Sequence, residues 1–119
     1  MAIQIFGTSK SFDTKKAERY FSERCIPFQK VDLKEKGISK GELESVITSL
    51  AKREGSRALA VELLADKKGK DYASFAYLDD SEKEDKLLEN PMLLAQPICR
   101  NGKTDATVGY APDVWAMWD

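Results

Sequence analysis

Histidine occurs nowhere in the 119 residues. Its absence removes the commonest general base near neutral pH, the usual imidazole ligand of a metal, and the partner that most often activates a serine or cysteine nucleophile. Cysteine is scarce too. Cys25 and Cys99 stand far apart, form no CxxC or other metal-ligand spacing, and are too few for a disulfide framework. A reducing cytoplasm is the expected setting. No apolar run approaches the roughly 18 residues of a membrane span, and the opening MAIQIFG is too short an apolar stretch for a secretory signal. Neither sign of charge dominates: 19 Lys and Arg oppose 20 Asp and Glu, a net charge of −1 that offers no footprint for nucleic acid or an anionic membrane.

What remains is the composition of a single soluble domain, expected to span residues 1–119. The organising stretch is IQIFGTSKSFDTKKAERYF, from Ile3 to Phe21. Ile3, Ile5 and Phe6 predict a short central strand, and Gly7 is read as its end, where the backbone turns. From about Asp13 a helix follows, with Ala17, Tyr20 and Phe21 on one face and charges on the rest. Cys25 to Pro27 break it, and the alternation in Phe28 to Leu33 predicts a second strand, parallel to the first in a right-handed βαβ unit.

The middle of the chain is helical in pattern. Ser39 with Glu42 makes a capping box before Leu43, Val46, Ile47 and Leu50, which follow at i, i+3, i+4 and i+7. Ser56 opens a further helix whose apolar side is expected to include Leu59, Leu63 and Leu64. Asp66 to Lys70 reads as a turn, Tyr72 to Leu78 as a short helix, and the acidic Asp79 to Asp85 as the first turns of a helix ending near Leu88. Those carboxylates lack the glycine and spacing of a calcium loop. Met92 to Ala95 is one more apolar turn. Asn101–Gly102 lies between the strand-like runs Ile98 to Arg100 and Lys103 to Val108, which predicts a hairpin closed by a two-residue type I′ turn. Pro112 to Trp118 reads as a C-terminal helix with proline in its first turn. Removing the helical middle, residues 39–95, leaves βαβ followed by ββα over residues 1–38 and 96–119. That is a thioredoxin-like α/β core with a mixed four-stranded sheet and an inserted helical subdomain.

Two ordered motifs resemble the arsenate reductase (ArsC)/Spx family. The N-terminal stretch is similar to a subgroup that runs strand, Gly-Thr-x-x-Cys, then Thr-x-Lys-Ala-Glu-Arg. ENPMLLAQPICRNGK resembles its Asn-Pro-x-Leu-Leu-x-Arg-Pro-Ile pattern and hairpin, and ATVGYAPDVW its last strand and helix. The resemblance implies thiol-dependent arsenate or disulfide reduction with glutathione, another small thiol or a glutaredoxin-like protein as partner, and no resident cofactor. The implied nucleophile position is Ser11, where the family has cysteine. A cysteine thiol titrates near 8.5 and falls to roughly 3.5–7.5 at a helix N-terminus, whereas serine forms no disulfide, sulfenate or arsenate adduct. The CxxC switch of Spx-type regulators would fall on Ser11 and Thr14, so no disulfide can form there. Gln96 replaces the arginine that many members place before the proline, losing a charged fork suited to oxyanions. Pro97 is expected to be cis, beside the loop.

The expected ligand site therefore comprises Gly7, Thr8, Ser9, Lys10 and Ser11 with Gln96 and Pro97, and an oxyanion or small thiol is its expected occupant. Lys10, Lys15 and Lys16 either help hold such an anion at the helix end or form a solvated face. Cys99 reads as an inert core residue, and Cys25 as the end of the first helix, away from the loop. The resemblance leaves three readings: a redox-inactive reductase relative, an Spx-like module that grips a protein partner, and a small thiol or anion binder. A monomer is expected.

Overall fold

The computed structural model describes residues 3–118. The first strand, β1 (Ile3–Gly7), leads into helix α1 (Phe12–Glu23) and strand β2 (Phe28–Asp32). Four helices follow: α2 (Lys40–Glu54), α3 (Arg57–Leu64), α4 (Tyr72–Ala76) and α5 (Asp80–Glu89). A 3₁₀ turn, Pro91–Leu93, precedes β3 (Ile98–Asn101) and β4 (Asp105–Val108), and α6 (Pro112–Trp115) runs into a closing 3₁₀ turn, Ala116–Trp118. The sheet order is β2-β1-β3-β4. Strand β1 pairs parallel with β2 and antiparallel with β3, and β4 pairs antiparallel with β3. This is the mixed four-stranded sheet that the pattern predicts, with β1 central.

Alternation along β1 sorts its side chains to two cores. Ile3, Ile5 and Cys99 face Ala17, Tyr20 and Phe21 of α1 and Trp115 and Trp118 near the C-terminus. Phe6, Val31, Ile98 and Ala106 face the opposite way, against Leu43, Val46, Ile47 and Leu50 of α2 and Ala60, Val61 and Leu64 of α3. The helical middle thus covers one sheet face, and burying apolar area on both faces supplies the main stabilising term. One buried polar pair joins the sheet to the C-terminal helix: the Trp115 indole N–H donates to Thr107 Oγ1 at 2.8 Å.

Three local expectations change. Gly7 lies within β1 and has no left-handed backbone; it is glycine because α1 packs on it, and a Cβ there would meet Thr14 Oγ1 at 2.3 Å. The hairpin exists, but Asn101 belongs to β3 and pairs with Asp105, so β4 starts two residues later than expected. Its turn is closed by Thr104 N–H donating to Asn101 O at 3.1 Å, and Gly102 alone takes a positive φ, 56°, where type I′ would need two such residues. Finally, Leu59 and Leu63 are exposed, 53% and 41%, because α3 turns Ala60, Val61 and Leu64 inward instead. A short helix that is apolar on most sides leaves periodicity unable to select the buried face.

The Gly7 contact is testable by stability. Gly7→Ala is expected to lower the urea midpoint by the equivalent of about 1–3 kcal/mol, the usual overpacking cost, and by clearly less in a Thr14→Ala background. Equal costs in the two backgrounds would remove the close-approach explanation.

Candidate functional site

The loop between β1 and α1 is held by its own polar groups. Ser11 N–H donates to Thr8 O at 3.2 Å, which closes a tight turn. Ser11 has extended backbone, φ −85° and ψ 120°, and its Oγ accepts from Thr14 N–H at 3.2 Å. It is therefore the N-cap of α1, satisfying one of the amides a helix start leaves bare. That role was legible: a serine three residues before Thr14, at the edge of a helical pattern, is a start signal. It explains why α1 begins at Phe12, a residue earlier than expected.

Across the end of the sheet, Thr8 is tied to Gln96. Thr8 N–H and Thr8 Oγ1 both donate to Gln96 Oε1, at 2.8 and 3.0 Å. The Gln96–Pro97 peptide is cis, as expected, and Pro97 O accepts from Gly109 N–H at 2.8 Å. The helical middle meets the same place. Ala95 N–H donates to Leu64 O and Asp66 N–H to Leu93 O, at 2.7 and 2.8 Å, so the segment after α3 pairs with the segment before Pro97. Between this seam and Ser11 lies a cleft of about 510 Å³ walled by Ser11, Gln96, Ala95, Leu63, Lys67 and Lys68 among others. Leu63 is exposed on α3 because it borders this cleft.

The expected site residues divide around the loop. Ser11 and Gln96 line the cleft, while Gly7, Thr8 and Ser9 line a smaller cavity of about 280 Å³ that also touches Thr14 and Lys15. Lys10 is exposed and lines neither cavity, and Pro97 is buried. The basic cluster does not converge. Lys15 sits over the Phe12 ring at 5.9 Å, and Lys16 lies over Tyr110 at 5.5 Å and 3.9 Å from Asp13. Sequence reasoning missed Lys67 and Lys68, which come to the cleft from a turn in the helical middle. Their only signal was the basic DKKGK turn itself.

Chemistry at the loop is restricted. Ser11 Oγ has one hydrogen-bond partner among the described residues, a backbone amide, and no carboxylate or amine among them is hydrogen-bonded to it. The described residues include no group of three His, Cys, Asp or Glu able to hold a metal ion. Nearby, Glu62 is kept ionised: the Lys83 ammonium at 2.7 Å holds its carboxyl below the ordinary 4.5, and Tyr72 O–H donates to its other oxygen at 3.1 Å. Cys99 is fully buried in the sheet, and burial pushes its thiol up to about 12, against a smaller opposing contribution from Thr107. Cys25 is exposed at the far end of α1.

No protein-family model matches the sequence, and no curated protein matches it. Solved structures do match. An arsenate reductase from Vibrio cholerae is 20% identical, covers 100% of this chain and 98% of its own, and superposes with a TM-score of 0.81. An ArsC family related protein from Bacteroides fragilis is 17% identical over 100% and 98% of the two chains, with a TM-score of 0.81. An arsenate reductase (ArsC) related protein from Brucella melitensis is 18% identical over 98% and 93%, with a TM-score of 0.63. The fold is that of the arsenate reductase-related structures. The ArsC-type fold thus extends over the whole chain, helical middle included. No helix among the described residues is long and apolar enough to cross a membrane.

Two measurements check this geometry. Iodoacetamide at pH 8 should modify Cys25 alone in the folded protein and Cys99 only after unfolding; modification of both in the native state would contradict the buried, high-pKa thiol. For Glu62 the folded pKa is depressed, so its contribution to stability is complete above 4.5 and is lost as pH falls through the lower folded value. Urea midpoints at pH 6 and pH 3 should therefore differ less in Lys83→Met than in the unaltered protein.

Proposed function

We propose that this chain is an ArsC-related protein that has kept the ligand cleft of a thiol-dependent reductase and lost its redox step. The observation that carries this reading is Ser11, a hydroxyl at the N-cap of α1, on the wall of a cleft that also reaches Gln96 beside the cis-proline peptide. In a reductase of this fold that place calls for a thiolate, which the helix N-terminus stabilises. A serine hydroxyl bonded to Thr14 N–H caps the helix equally well and transfers no electrons. Without a base beside it, Ser11 is no nucleophile either. The protein then acts by binding, as a monomer in the cytoplasm, with glutathione or a glutaredoxin-like protein as the partner of active relatives rather than its own.

A second reading, a module that grips a protein partner, is favoured by the helical middle. A groove of about 820 Å³ between α2, α3 and α5 has Leu43, Ile47 and Leu88 in its lining, and Arg57 is held there between Glu44 and Glu84.

The first reading is tested with Ser11→Cys. The introduced thiol should titrate well below the unperturbed value near 8.5, within roughly 3.5–7.5, as followed by thiolate absorbance against pH. The unaltered protein should reduce neither arsenate nor a disulfide above background with glutathione and glutaredoxin. A thiol that titrates near 8.5 in the Ser11→Cys variant, or turnover by the unaltered protein, would sink the proposal.

A further inference from the structure

We propose that the Ser11 cleft binds a small carboxylate-bearing molecule, held by the Ser11 hydroxyl and the Gln96 amide with Lys67 and Lys68 at its mouth. The inference builds on the reading of Ser11 as a non-redox group and names the ligand class of that cleft.

The argument is an accounting of donors and acceptors. Thr8 N–H can only donate, so the Gln96 amide must present its oxygen to Thr8, and it does so at 2.8 Å. The NH₂ end of the same planar amide then turns away from Thr8, and no described residue accepts from it. Ser11 Oγ uses a lone pair on Thr14 N–H, which leaves its own O–H with no acceptor among the described residues. Both free donors belong to cleft-lining residues. Two carboxyl groups share that lining but are engaged. Glu62 bonds Lys83 and Tyr72, and Asp66 Oδ1 accepts from Lys68 N–H at 3.1 Å. Lys83 offsets Glu62, so Lys67 and Lys68, whose ammonium groups pair with no described carboxylate, outnumber Asp66 by one.

A cavity whose free neutral side-chain groups are donors, with a net positive mouth, selects an acceptor-rich anion. Its side-chain donors suit a tetrahedral, doubly charged one less well. Three of the loop's amides are already used: Thr8 N–H on Gln96, Ser11 N–H on Thr8 O, and Thr14 N–H on Ser11 Oγ. No arginine lines the cleft to supply a charged fork. Two neutral donors, a hydroxyl and an amide, equal in number the two oxygens of one carboxylate.

The test titrates the full chain with succinate, succinamide and inorganic phosphate, following backbone amide NMR shifts. Succinate is expected to produce saturable shifts centred on Ser11, Ala95 and Lys67, and to bind at least tenfold tighter than either control. Gln96→Glu keeps an oxygen for Thr8 and removes the free donor, so it should weaken succinate about tenfold or more, the usual size of a hydrogen bond to a charged group. The exposed pair Lys67→Met/Lys68→Met, which cannot disturb the core, should do the same. Equal binding of succinamide or phosphate, unchanged affinity in both variants, shifts that map elsewhere, or no saturable shift at all would each overturn the inference. Its failure is separable from that of the non-redox reading. A low thiol pKa in Ser11→Cys with no succinate binding removes only the ligand class, whereas succinate binding with an unperturbed thiol in Ser11→Cys removes only the family role.

Discussion

The hydrogen bonds from Thr8 to Gln96 Oε1 join the two halves of the molecule that make the site. On one side of them stands the loop leading to Ser11 and α1; on the other stands the cis peptide that opens β3. Eighty-eight residues of chain separate the partners, and most of that chain is the helical middle. The link therefore depends on the sheet having formed, with β1 between β2 and β3. Once made, it uses the Thr8 amide, and it orients the Gln96 NH₂ group. A charged arginine at position 96 would have no acceptor for Thr8, so the glutamine changes the loop's own hydrogen bonding as well as its charge.

The sheet can hold the two sides in place because both its faces are covered. On one, α1 and the C-terminal turns pack Tyr20, Phe21, Trp115 and Trp118 as a cluster of aromatic rings, with Phe21 and Trp115 centroids 5.3 Å apart. Such rings add directional contacts to the area they bury. On the other face, α2 and α3 bring aliphatic side chains. At the hairpin Arg53 of α2 donates to both oxygens of Asp105 and to Ala106 O, and Trp118 Nε1–H donates to Asp105 Oδ2, so one carboxylate ties α2, β4 and the C-terminal turn together. The helical middle is anchored to the sheet there and, at its other end, by the Ala65–Leu94 seam beside the cleft.

Much of this was legible because it is local. The capping box at Ser39 and Glu42 is present, Asp79 and Glu82 form another, and Leu43, Val46, Ile47 and Leu50 are all buried. Each rests on residues within about two helical turns, where spacing alone determines which groups meet. Errors arose where a residue's reason lay elsewhere. Gly7 suggested a turn, but its neighbour is Thr14 of the docked helix. Leu59 and Leu63 suggested core, but the sheet meets the opposite side of α3. Lys10, Lys15 and Lys16 left an anion site and a solvated face both open; Lys15 and Lys16 lie over the Phe12 and Tyr110 rings, and Lys67 and Lys68 are the lysines that line the cleft.

The amino-acid sequence by itself determined the order of elements, the mixed sheet, most helix limits, and a hydroxyl rather than a thiol at position 11. These follow from side-chain identity and short-range periodicity. Only the tertiary structure decided what surrounds that hydroxyl. Whether Gln96 accepts or donates, and which lysines reach the cleft, depend on contacts between residues brought together by the sheet, and a bond across 88 residues leaves no trace in the spacing of either partner.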